Sequence, residues 1–147
     1  MRAFAPVLLA CVLLAGCAAH GPDSAFDLAG TTTPAPATAT PPERPPGNPA
    51  VGFTDNPLIV NSRPLPIDSW SRLGGGDALE LYFTVGSPDC SGVHATARET
   101  PDTVAVELRV GTLPEAIGRM CTMIVVFGTL NVPLRSPIRD RQVLAVY

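Results

Sequence analysis

The densest run of chemically capable side chains is Asp89-Cys90-Ser91-Gly92-Val93-His94. Two chemistries suit it. As a zinc site, Cys90 and His94 would join Cys121, with Asp89 as an oxygen ligand, because thiolates, imidazole and carboxylate are the groups zinc prefers. As a nucleophilic site, Ser91 would pass its proton to His94 while Asp89 oriented the imidazole. The zinc set has no Cys-x-x-Cys pair. The nucleophilic set is crowded into six consecutive residues, which hinders a triad, and no Gly-x-Ser-x-Gly elbow surrounds Ser91. A solvent-facing place on a strand accounts for His94 with fewer demands. The run therefore predicts no catalytic residue, no metal ligand and no cofactor. A small hydrolase working through Asp89, Ser91 and His94 stands as the competing reading.

A second group is Arg135, Arg139 and Arg141, close together near the C-terminus. Guanidinium groups at this spacing suit an anionic glycan or a lipid headgroup. The plainer role is protection of a sheet edge by charge. Trp70, the only tryptophan, has the ring to stack on a sugar, although core packing is the commoner use of a lone Trp. These four are the candidate partner-contacting residues. Gly74-Gly75-Gly76 is read as a turn, because no Gly-Lys-Ser/Thr and no helix follow it to hold phosphate. Glu80, Glu99, Asp102 and Glu107 are scattered over outward positions, and a solvated sheet face explains them more simply than a glycosidase pair. Residues 57–147 carry eight Arg against nine acids, so no overall field steers a ligand. A net charge of -3 and a pI near 5.2 argue against a nucleic-acid partner. All ten basic side chains are Arg, which excludes a lysine nucleophile.

The elements that must carry these residues show a period of two. Val104, Val106, Leu108 and Val110 alternate with Ala105, Glu107 and Arg109, and Leu79, Leu81, Phe83 and Val85 with Glu80, Tyr82 and Thr84. Thr100-Pro101-Asp102 suits a turn between a strand over 93–99 and one from Thr103. Met120 to Phe127 is apolar on both parities, which predicts a central strand covered on both faces. Gln142 to Tyr147 reads as a closing strand. Leu113 to Ile117, with Pro114 at its start, is the one helical hint. The fold class expected is mainly all-β: a small β-sandwich or open barrel of about six short strands with at most one short helix.

Before that domain the composition changes. Arg2, the apolar Ala3–Leu14 and the small Ala15-Gly16 have the layout of a signal peptide. The run Leu13-Leu14-Ala15-Gly16-Cys17 resembles the lipobox of bacterial lipoproteins. That resemblance implies that residues 1–16 are removed and that Cys17 carries the lipid, firmly anchored once two or three acyl chains are present. It also implies a position on the outer side of the cell membrane, in the cell envelope. Residues 17–56, rich in Pro, Thr and Ala and carrying a charge of -3 between 18 and 56, are expected to form a disordered tether open to O-glycosylation. Residues 57–147 would be the globular domain. Outside the cytoplasm the two remaining thiols, Cys90 and Cys121, are the expected disulfide.

The order of landmarks from Pro64-Leu65-Pro66-Ile67-Asp68-Ser69-Trp70 through Cys90-Ser91-Gly92, Cys121 and Arg139-Asp140-Arg141 is similar to that of small secreted and lipid-anchored actinobacterial proteins with one two-cysteine domain. This second resemblance implies the same disulfide and a surface location, but no activity. The functional expectation is a non-enzymatic, lipid-anchored binding module for an envelope protein or glycan. The alternatives are the small hydrolase above and a passive surface coat.

Overall fold

In the computed structural model of the chain, residues 36–47 and 49–147 are described. The signal peptide, Cys17 and the first half of the expected tether lie outside them. The architecture is mainly β, two sheets curled towards a half-barrel around one apolar core. Among the described residues nine strands build it: β1 (Thr38–Ala39), β2 (Val51–Phe53), β3 (Val60–Pro64), β4 (Ser69–Leu73), β5 (Ala78–Gly86), β6 (Ser91–Glu99), β7 (Thr103–Thr112), β8 (Val125–Pro133) and β9 (Gln142–Val146). The helical hint is a single 3-10 turn, Pro114–Ala116, with its proline where the missing N–H costs nothing.

The alternating residues of β7 and β5 face each other across the core. Val104, Val106, Leu108 and Val110 are buried, as are Leu79, Leu81, Phe83 and Val85. Side chains on an extended chain point to opposite faces in turn, so one apolar parity per strand suffices to orient each sheet. β7 is the axis of its sheet. β6 runs antiparallel along its whole length from Ser91↔Thr112 to Glu99↔Val104. Its other edge is shared: β9 pairs in parallel with 103–107 and β3 antiparallel with 109–112. β1 then adds to β9. The second sheet has the order β2-β8-β5-β4. The turn Thr100–Asp102 joins β6 to β7 as expected, with the Thr100 hydroxyl accepting the N–H groups of Asp102 and Thr103.

Two expectations are corrected. The strand assigned to Met120–Phe127 begins five residues later, at Val125, and residues 120–124 lie outside the sheets and exposed. The partner strand sets the limit: β5 ends at Gly86, opposite Val125, and the chain then turns, with the Cys90 and Ser91 N–H groups donating to the Ser87 carbonyl. Beyond the ladder the disulfide holds Cys121 to Cys90, Cα to Cα 6.1 Å. The second correction concerns the tether, whose residues 36–47 and 49–56 are part of the fold.

That stretch acts as a strap over unpaired edges. β1 pairs with β9; Glu43 then bridges Trp70 at the edge of β4, where Arg44 N–H donates to the Trp70 carbonyl at 2.9 Å. The Arg44 guanidinium covers the Tyr82 ring at 4.5 Å. β2 next pairs in parallel with β8, and Asp55 bridges Val93 on β6. Proline suits such service, because an edge strand can dispense with some N–H donors. Covered edges are also protected from pairing with another chain. Main-chain pairing threads the strap, and its side-chain contacts fall at irregular intervals, which is why its side-chain pattern is silent.

Candidate functional site

The three C-terminal arginines are brought together by the β8–β9 connection, and a single carboxylate organises it. Glu99, the last residue of β6, accepts the N–H of Arg135 at 2.7 Å through Oε1. Its Oε2 accepts the N–H of Ser136 at 3.3 Å and Nη1 of Arg141 at 2.8 Å. Nη2 of Arg141 donates to the carbonyls of Ser136 and Pro137. The pair is largely shielded, with side-chain exposures of 12% for Glu99 and 9% for Arg141. Burial alone would raise the Glu99 pKa. The hydrogen bonds from Arg135, Arg141 and Ser136 and the charge of Arg141 outweigh it, and the net effect is below the usual carboxylate range.

Below the turn, Ile138 is fully buried and its N–H donates to the Gly76 carbonyl at 2.9 Å. The expected Gly74–Gly76 turn thus has a second use. Gly76 sits at φ +94°, and a Cβ there would stand 3.1 Å from the Ile138 side chain. Arg139 is held in the left-handed region, φ 44°, a conformation uncommon for a residue with a Cβ. Its carbonyl accepts Nη1 of Arg72 at 2.6 Å. Arg72 is in turn gripped by Glu43 of the strap at 2.7 Å, an interaction that raises its pKa.

Arg141 is therefore structural, while the guanidinium groups of Arg135 and Arg139 have no hydrogen-bond partner among the described residues and are exposed. They border an open cleft of about 810 Å³ completed by Thr100, Pro101 and Asp102 of the β6–β7 turn. Asp102 and Asp140 line it too, so the cleft is mixed in charge. Arg135 and Arg139 thus present two forked donors to one cleft, on a turn that Glu99 holds through the Arg135 and Ser136 N–H groups.

Trp70 does not belong to this site. It lies on β4, opposite Leu81, and is 5% exposed. Its indole N–H donates to the Pro41 carbonyl at 3.2 Å. The expectation that it stacks on a ligand is corrected, since both its ring and its polar tip are occupied by the protein. Two of the scattered carboxylates likewise take individual partners: Glu80 accepts the Tyr82 hydroxyl and Glu107 binds Arg109 at 2.8 Å.

The Asp89–His94 run is divided by the strand that carries it. Ser91 and His94 are three residues apart on β6, which runs in unbroken register, so they point to opposite faces. His94 meets Asp55, its Nδ1 lying 3.0 and 3.1 Å from the two carboxylate oxygens. This geometry places the proton on Nδ1. Oδ1 of Asp55 also accepts the N–H of Ala95 at 2.8 Å, capping the open edge of β6. The sequence reading missed Asp55 because it sits in the Pro-rich stretch, 39 residues before His94. Cys90 and Cys121 are disulfide-bonded, and among the described residues no three His, Cys, Asp or Glu side chains gather as metal ligands.

No protein-family model, curated protein or solved structure matches the chain.

Proposed function

We propose that the chain is a lipid-anchored cell-envelope protein acting as a non-enzymatic binding module, with Cys17 as the acylated residue and the cleft beside Arg135 and Arg139 as its binding face. The observation that carries the binding role is the Glu99-centred turn. One carboxylate holds three donors and leaves two nearby guanidinium groups free to meet an anionic glycan or an acidic protein surface. Preorganisation of this kind lowers the entropic cost of binding. The lipobox-like Leu13–Cys17 run supports the anchoring.

The test is photo-cross-linking in the native envelope with a photoreactive residue at Ser136, followed by mass spectrometry. One abundant partner, lost when Arg135 and Arg139 are both changed to Glu, is the expected result. Diffuse capture that is unchanged by the charge reversal overturns the binding role. Anchoring is tested separately by the mass of residue 17 in the native protein; an unmodified Cys17 overturns it.

A further inference from the structure

Residues 117–127, Ile-Gly-Arg-Met-Cys-Thr-Met-Ile-Val-Val-Phe, hold one charge, Arg119. They include the most exposed large apolar side chains of the described protein. Met120 is 101% exposed, Met123 98%, and Val125 and Phe127 73% each, with Ile117 and Ile124 also exposed. Isolated exposed apolar residues are ordinary, but six within eleven residues form a patch of the kind that marks an interaction surface. The stretch is also held in place. The disulfide secures Cys121, the Leu113 N–H donates to the Cys90 carbonyl at 2.9 Å, and Val125 and Phe127 project from β8 where it is paired with β5.

We infer that this stretch is a membrane-docking loop, whose methionines and Phe127 enter the outer surface of the lipid bilayer with Arg119 at the phosphate level. The inference rests on the lipid-anchor reading and deepens it. Nineteen residue steps lead from Cys17 to Pro36, because the strap has taken up the rest of the expected tether. At no more than about 3.6 Å per residue they reach at most about 70 Å in any conformation. The domain is therefore confined beside the bilayer at high effective concentration.

The direction of the chain is also favourable. β1 is antiparallel to β9, with Thr38 opposite Val146, and Val146 is opposite Glu107 on parallel β7. The path from Thr38 back to Pro36 thus runs the same way as β7 runs from Glu107 to Thr112, where the apolar connection departs. Methionine and phenylalanine beside a lone arginine, with no acidic residue in the stretch, suit an interface of acyl chains and phosphates.

The experiment uses the full-length lipidated protein in vesicles of phosphatidylcholine and phosphatidylglycerol with brominated acyl chains. A Met123→Trp variant is the depth probe, with buried Trp70 as the internal reference. Quenching of the new tryptophan well beyond that of Trp70, abolished by adding Met120→Asp, is expected. An unquenched tryptophan in protein whose Cys17 carries lipid overturns the docking and leaves the anchor standing.

Should Cys17 prove unmodified, the anchor reading fails, and the Cys17→Ser chain then decides the loop by vesicle flotation. Met120→Asp or Met123→Asp should each weaken partition about tenfold; no change overturns the docking. A blue shift that grows with protein concentration in the absence of lipid would assign the patch to a second copy of the chain and also overturn it. These side chains are exposed, so the substitutions leave the core untouched; retention of the disulfide checks that the domain is folded.

Discussion

Replacing Glu99 with Gln removes one charge and almost no volume, and its consequences can be worked from the geometry. The wild-type carboxylate receives three donors, two from main-chain N–H groups and one from Arg141. A surface ion pair is worth about 0–1 kcal/mol, and breaking a buried one costs about 3–5 kcal/mol. Exposures of 12% and 9% place this pair nearer the buried limit. The amide keeps one acceptor, so a loss of about 2–3 kcal/mol is expected. For a domain of this size each kcal/mol lowers Tm by about 4 °C, giving a fall of roughly 8–12 °C by circular dichroism at neutral pH. The pH dependence supplies a second signature. The folded-state pKa of Glu99 is lowered from 4.5, so its contribution is complete above that value and is lost as pH falls through the lowered folded pKa. The melting curves of the wild type and the Glu99→Gln variant should therefore converge in acid. A Tm change below about 2 °C, or a gap that stays constant to about pH 2, would refute the account of this turn. Because the turn also presents Arg135 and Arg139, the same variant should weaken partner capture.

Three further outcomes follow from other parts of the molecule. Changing Cys90 and Cys121 to Ser opens a span of 31 residues, for which chain entropy gives a loss of about 3.7 kcal/mol in urea unfolding; a loss below about 1 kcal/mol would show that the link restrains little beyond its own loop. Trp70→Phe keeps an aromatic ring but forfeits the hydrogen bond to Pro41, at a cost of about 1 kcal/mol. Limited proteolysis within residues 36–50 should then accelerate, and unchanged cleavage would mean that this bond does not hold the strap. In Gly128→Ala the new Cβ would stand 2.5 Å from the Phe83 ring and 2.9 Å from that of Phe53, so overpacking should destabilise by about 1–3 kcal/mol; a neutral denaturation midpoint would show that both rings can move aside.

Much of the framework is legible in the order of residues alone. β5 and β7 announce their buried faces by alternation, the Thr100–Asp102 turn by its side chains, and the Cys90–Cys121 pairing by elimination once the lipobox-like run is noticed. Arg135, Arg139 and Arg141 are neighbours in the chain, so their proximity needs no fold to explain it. What each of them does is another matter: Arg141 is committed to Glu99, 42 residues away, a partner that no local pattern names.

Tertiary structure decided the rest. Apolar residues on both parities at 120–127 have the composition of a buried strand. Yet β5 ends at Gly86, so the ladder starts only at Val125, and beyond it the disulfide holds Cys121 to Cys90. Trp70 is turned from a surface candidate into core because β4 aligns it with Leu81. The strap, residues 36–47 and 49–56, reads as a tether because main-chain pairing to the edges of β4, β8, β9 and β6 threads it, and its side-chain contacts, such as Glu43 with Arg72 and Asp55 with His94, follow no period. Side-chain periodicity records which face of a strand is dry, and it shows strongly in a sequence. An unpaired backbone edge is created by the assembled sheet, and whatever segment covers it need carry no periodic signal of its own.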